Sequence, residues 1–199
     1  YNVEPNELIK NLKNKNDFLS NYAQTIALYR IGKYDLALNK LSLIKDNYKE
    51  YPFFYELKGD IHFKKGDFNI AINEYKKAIQ NLQEALNPSS DLIKFSLIKT
   101  YLQTNNRSNL NKSILLLEEL LDKNPKWSYL WRLLSKASGK LNKKGIAFIA
   151  LAEEALIKKN FIKAKKYVDL AHSQDRLPSS YKLRGSDILN KIKLIYKKK

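Results

Sequence analysis

The spacing of small residues against a helical background constrains this chain most. Apolar residues recur three and four apart nearly throughout, and no long segment alternates with period two, so the elements are amphipathic helices. On that background a small residue recurs at Ala37, Ala71, Ser113, Ala147 and Ala164, in steps of 34, 42, 34 and 17 residues. Self-similarity at a fixed period of this size means stacked supersecondary units. The 42-residue step exceeds 34 by eight, which predicts a longer helix around Asn81–Leu86 and a longer turn at Asn105–Asn111. The 17-residue step is half a period, so the helix near Gly145–Lys158 is expected to serve two successive units. Asn124-Pro125, Asn87-Pro88-Ser89-Ser90 and Leu177-Pro178-Ser179-Ser180 supply the breaks between helices.

One segment fixes the register. Tyr55, Gly59, Gly66, Asp67, Phe68, Ala71, Tyr75 and Ala78 stand at the spacings of an aromatic, a small residue, a Gly-Asp-aromatic turn and a second small-aromatic-small run. This segment resembles the tetratricopeptide (TPR) repeat. The resemblance implies an all-α, TPR-like right-handed helical solenoid of antiparallel helix pairs. Small residues let helices A and B of each repeat approach closely, and aromatics fill the wedge between them. The expectation is a single TPR-like domain over residues 1–199, with about four to five repeats, the last ones distorted, and a capping helix near 178–195.

The same register places helix A along one face of the stack. Its expected groove positions are Tyr22, Ile26, Tyr29 and Arg30, then Phe53, Glu56, Asp60, Phe63 and Lys64. Leu92, Phe95, Lys99 and Gln103 follow in the third repeat, and Tyr129, Arg132, Lys136 and Lys140 in the fourth. Aromatics interleaved with cations suit an extended peptide, the rings holding apolar side chains and the cations holding carboxylates. The competing reading is that some of these aromatics only pack between repeats.

Composition narrows the chemistry. The chain has no Cys and two His, His62 and His172, so thiolate and His-rich metal sites are excluded. No phosphate loop, dinucleotide fingerprint, nucleophile elbow or His-Glu-x-x-His helix occurs, and no apolar run approaches the roughly 20 residues of a membrane span. The chain itself is therefore expected to catalyse nothing and to hold no cofactor. His62 reads as a partly buried packing residue and His172 as a helix-end residue. The pairs Glu118-Glu119 and Glu153-Glu154 read as solvated faces, because neighbours on a helix diverge by about 100°. The net charge of +17 has two readings. One is compositional drift, since Lys, Asn and Ile abound and only five cations are Arg; the other is a functional basic face. Single-stranded nucleic acid fits basic–aromatic interleaving, but Glu56 and Asp60 would repel phosphate, so no specific nucleic acid is expected. The chain starts at Tyr1 and contains no Met, which reads as a processed product or a fragment.

A narrower resemblance covers residues 1–189. Tyr22 to Gly32, Tyr51 to Gly59, Trp131 to Leu134, Ala152 to Leu156 and Leu183 to Leu189 look like the C-terminal TPR region of bacterial periplasmic zinc metalloproteases of the β-barrel assembly-enhancing group. That likeness implies an upstream protease domain holding zinc, a periplasmic location, and docking of outer-membrane proteins, assembly-machinery partners or the protease domain itself. The alternative is a stand-alone, cytoplasmic TPR scaffold binding peptides in another pathway.

Overall fold

The computed structural model describes residues 4–44, 51–84 and 90–197, with the side chains of 83 and 84 excepted. The described residues form α1 (Pro5–Leu12), α2 (Phe18–Arg30), α3 (Tyr34–Ser42), α4 (Pro52–Lys65), α5 (Phe68–Glu84), α6 (Asp91–Gln103), α7 (Arg107–Lys123), α8 (Ser128–Lys140), α9 (Lys144–Ile157), α10 (Phe161–His172) and α11 (Ser179–Lys197), with no strand among them. The fold is all-α and TPR-like, built of antiparallel helix pairs. The chain divides into two compact units, Tyr1–Thr104 and Asn105–Lys199.

The turns inside the pairs set the repeat. Gly32, Gly66, Asn105, Asn142 and Lys159 all adopt positive φ, at 77°, 87°, 50°, 59° and 58°. At Gly66 the chain makes a Schellman stop: Gly66 N–H donates to the Phe63 carbonyl at 3.2 Å and Asp67 N–H to that of His62 at 2.9 Å. Glycine adopts this left-handed conformation without the Cβ clash that penalises other residues. The fifth residue after each of these positions is Ala37, Ala71, Leu110, Ala147 or Ala164, and its N–H donates to the carbonyl at the helix N-cap.

This corrects two expectations for the third pair. The residue equivalent to Ala71 is Leu110, not Ser113, although Ser113 is fully buried one turn further on. The long turn expected at Asn105–Asn111 is absent: α7 starts at Arg107, capped by the Asn106 side chain, which accepts from Ser108 and Asn109 N–H. A 17-residue α5 and a 17-residue α7 carry the extra length instead. Of the expected long helix Asn81–Leu86, residues 85 and 86 lie outside the described residues, as do Asn87, Pro88 and Ser89.

In unit 1, α2 pairs with α3 and α4 with α5, while α1 lies on α2 and α6 packs on α5. The core joining the first two pairs is Leu28, Ala37, Leu41, Ile44, Phe54, Leu57 and Ile61. Helices α4 and α5 pack tightly at Gly59, where an added Cβ would sit 2.8 Å from two ring atoms of Tyr75. In unit 2, α9 packs on α8 and on α10, the shared role expected of it from the half-period step. Helix α11 lies across α9 and α10, and Ala152, Ala155, Ala164, Val168, Ile188 and Ile192 form the core there.

Candidate functional site

Helix α4 organises the site in unit 1. Phe53, Glu56, Asp60 and Phe63 follow one another at three- and four-residue steps, Lys64 lies four after Asp60, and together they line one face of that helix. Helix α2 joins this face where the Tyr22 hydroxyl donates to the Phe53 carbonyl at 3.2 Å. Helix α6 joins it through Lys99, whose ammonium lies 6.0 Å from the Phe63 ring centre and 4.9 Å from that of Phe95. Beneath, the buried Tyr75 of α5 donates its hydroxyl to Asp60 Oδ1 at 2.5 Å. One face therefore combines Tyr22 and Tyr29 of α2, Phe53, Glu56, Asp60, Phe63 and Lys64 of α4, and Phe95 and Lys99 of α6. Ile26 is half-buried on α2, Phe53 and Leu92 are well exposed, and Arg30 and Gln103 are exposed.

The electrostatics of this face are set by partial burial. Burial pushes the Glu56 carboxyl above its ordinary value, and neighbouring Asp60 adds to the shift. Asp60 is also raised by burial, opposed by the Tyr75 hydrogen bond and by the charges of Lys99 and Lys64. Tyr22 and Tyr29 are raised by burial and then by the nearby carboxylates, Glu56 and Asp60 for Tyr22 and Asp60 for Tyr29. Tyr75 is raised far above the usual phenol range by burial and by Asp60. The face is an apolar, aromatic surface with two half-desolvated carboxylates at its centre and lysines at its edge.

The remaining expected residues lie on α8 in unit 2. Tyr129, Arg132, Lys136 and Lys140 share a helix face and are exposed, but Arg132 is not a free cation. It donates to Glu154 Oε1 through Nε at 2.9 Å and through a terminal nitrogen at 2.5 Å, and Lys158 donates to the same oxygen at 2.5 Å. Burial alone would raise Glu154; the hydrogen bonds from Arg132 and Lys158 outweigh it and hold the carboxyl below its ordinary value. Lys140 bonds the Asn105 side chain.

The glutamate pairs differ from the solvated faces expected of them. Glu153 and Glu154 are both buried, at 7% and 6% exposure, and each takes a cation from a neighbouring helix. Glu153 accepts from Arg184 at 3.1 Å, and that guanidinium lies 5.0 Å from the Trp131 ring centre. Glu118 is half-buried and accepts from the Tyr181 hydroxyl. The pattern of adjacent acids cannot signal this, because the partners sit 22 to 63 residues away in sequence. His62 is buried, with Nδ1 3.2 Å from Asp67. A second open groove, about 510 Å³, lies between α10 and α11 against Ile162, Leu170 and Tyr196, with Lys165 and Lys166 on its rim.

Among the described residues no cluster of His, Asp and Glu could hold a metal, and no helix is long and apolar enough to cross a membrane.

A family model described as a tetratricopeptide repeat-like domain matches residues 22–99. The matched stretch lies within unit 1 and runs from Tyr22 to Lys99, the first and last side chains of the face just described. Among solved structures, the chain is similar to the crystal structure of the C-terminal part of a TPR repeat-containing protein from Cytophaga hutchinsonii. The two are 17% identical, with 94% of this chain and 87% of that chain covered and a TM-score of 0.40. No curated protein matches the chain. The matched TPR-like stretch suggests a protein-interaction module.

Proposed function

We propose that unit 1 is a peptide-docking module whose binding surface is the face shared by α2, α4 and α6. One observation carries this reading. Within the TPR-like stretch, Phe53, Phe63 and Phe95 stand around a polar centre without being consumed in the core between repeats, while Tyr22 and Tyr29 border the same centre as they pack against that core. Phe53 is 56% exposed at the edge of that surface. Aromatic anchors around a few fixed polar groups are what an extended segment needs for apolar burial and for orientation. Partners are therefore proteins or peptides in unfolded or extended form. The test is binding of extended peptides, read by fluorescence anisotropy. Phe53→Ala should weaken it several-fold to about tenfold, as removal of an exposed aromatic contact does; unchanged affinity for every bound peptide would refute the assignment.

The setting is a separate proposal that rests on sequence resemblance. We infer that the chain serves as the docking region of a periplasmic zinc metalloprotease of the β-barrel assembly-enhancing group, presenting outer-membrane proteins or assembly partners to an upstream protease domain that would hold the zinc. A His-Glu-x-x-His motif encoded upstream in the same reading frame supports it, and a reading frame without one counts against it. The stand-alone scaffold is the reading left in that case.

A further inference from the structure

We propose that the face of α2, α4 and α6 selects a basic side chain, lysine or arginine, on its peptide, with Glu56 as the group that fixes the cation. This rests on the docking reading above and reverses the polarity that sequence alone suggests for the groove.

The argument starts from how this chain treats its buried acids. It carries 37 cations and 20 acids, so cations are in excess. Glu74, at 5% exposure, takes Lys58 at 3.2 Å. Glu153 takes Arg184, and Glu154 takes both Arg132 and Lys158. Asp60 takes the Tyr75 hydroxyl and has Lys64 and Lys99 nearby. Glu56 departs from the pattern. It is half-buried, and among the described residues no cation or hydrogen-bond donor pairs with it. The charge it feels most is that of Asp60, which is of the same sign. A partly desolvated carboxylate beside another of the same sign is raised in free energy, and an arriving positive charge relieves it.

The surroundings fit that charge. Glu56 and Asp60 stand one helical turn apart on α4, close enough for one ammonium or guanidinium to meet both. The rings of Tyr22 and Tyr29 lie on the α2 side of the pair, and aromatic rings beside carboxylates suit both the charge and the methylene stem of lysine or arginine. The apolar rings of Phe53, Phe63 and Phe95 remain for flanking side chains. The overall charge of +17 works against any basic ligand, so selection of one would be the work of this local pair and not of the general field.

The test is a randomised pool of extended peptides passed over the immobilised full chain at physiological salt, with the retained peptides sequenced. Glu56→Gln is run in parallel, and circular dichroism verifies its fold. The expected result is enrichment of Lys or Arg at one position flanked by apolar residues. Single peptides drawn from that set should bind Glu56→Gln about tenfold more weakly, the loss of one charged hydrogen bond, while a neutral analogue binds both proteins equally. Enrichment of Asp or Glu, or a basic preference that Glu56→Gln retains, overturns the inference. Enrichment of apolar residues without charge preference overturns it too but leaves the docking face standing. No enrichment at all removes both.

Discussion

Gly59→Ala is the sharpest test of how the TPR-like stretch is packed. In a helix interior this change ordinarily stabilises by about 0.5–1 kcal/mol, because alanine gives up less backbone entropy. Here the new methyl would meet two Tyr75 ring atoms at 2.8 Å and a third at 3.1 Å. Tyr75 cannot swing aside freely, being 1% exposed and tied through its hydroxyl to Asp60 at 2.5 Å. Overpacking of this kind costs about 1–3 kcal/mol. The clash outweighs the helix preference, leaving a net loss of about 1 kcal/mol. Gly139→Ala is the matched control: it lies in α8 with nothing within 4 Å of the added carbon, so only the helix preference remains and stability should rise. Urea denaturation followed by far-UV circular dichroism separates the two, and in a thermal melt each kcal/mol corresponds to roughly 2–4 °C for a chain of this size. A Gly59→Ala protein as stable as the wild type would refute the wedge of Tyr75 against α4.

Three further outcomes follow from particular contacts. Arg132→Glu should lower the melting temperature more than Lys136→Glu, because it sets a carboxylate against the buried Glu154 while Lys136 is exposed; equal melting temperatures would contradict that pairing. Lys159→Gly should stabilise by up to about 1 kcal/mol by relieving a left-handed residue at φ 58°, and a loss in urea denaturation would deny the strain. Glu56→Gln should be more stable than the wild type near pH 7. The folded Glu56 carboxyl titrates above its ordinary value of 4.5, so its contribution is full below that value and is lost as the pH rises through the raised one. The gap between the two proteins should shrink as the pH falls below about 4.5, and a gap that widens toward acid would give the wrong sign.

Much of this architecture was legible in the sequence, and the reasons are local. Gly66-Asp67-Phe68 and the small residues on either side carry turn geometry and close packing in residue identity alone. The third pair resisted because Asn105 takes the left-handed position and Leu110 the first-turn position, so neither the glycine nor the alanine marker is present there. The α4 face was legible because helical spacing groups Phe53, Glu56, Asp60 and Phe63 without knowledge of the rest of the chain. What the sequence concealed was pairing across helices. Arg132 looked like a free groove cation, and Glu153 and Glu154 looked solvated, because a side chain's partner depends on how α8, α9 and α11 meet. The same limit hid Glu56, with which no cation pairs among the described residues of a chain crowded with them.

The central claim is that peptides dock on the face of α2, α4 and α6, and an isotope-labelled NMR titration with one retained peptide tests it most directly. The account predicts that the amide signals that move belong to Tyr22, Tyr29, Phe53, Glu56, Asp60 and Lys99. Movement confined to the α10–α11 groove around Ile162 and Tyr196, with α4 unaffected, would contradict it.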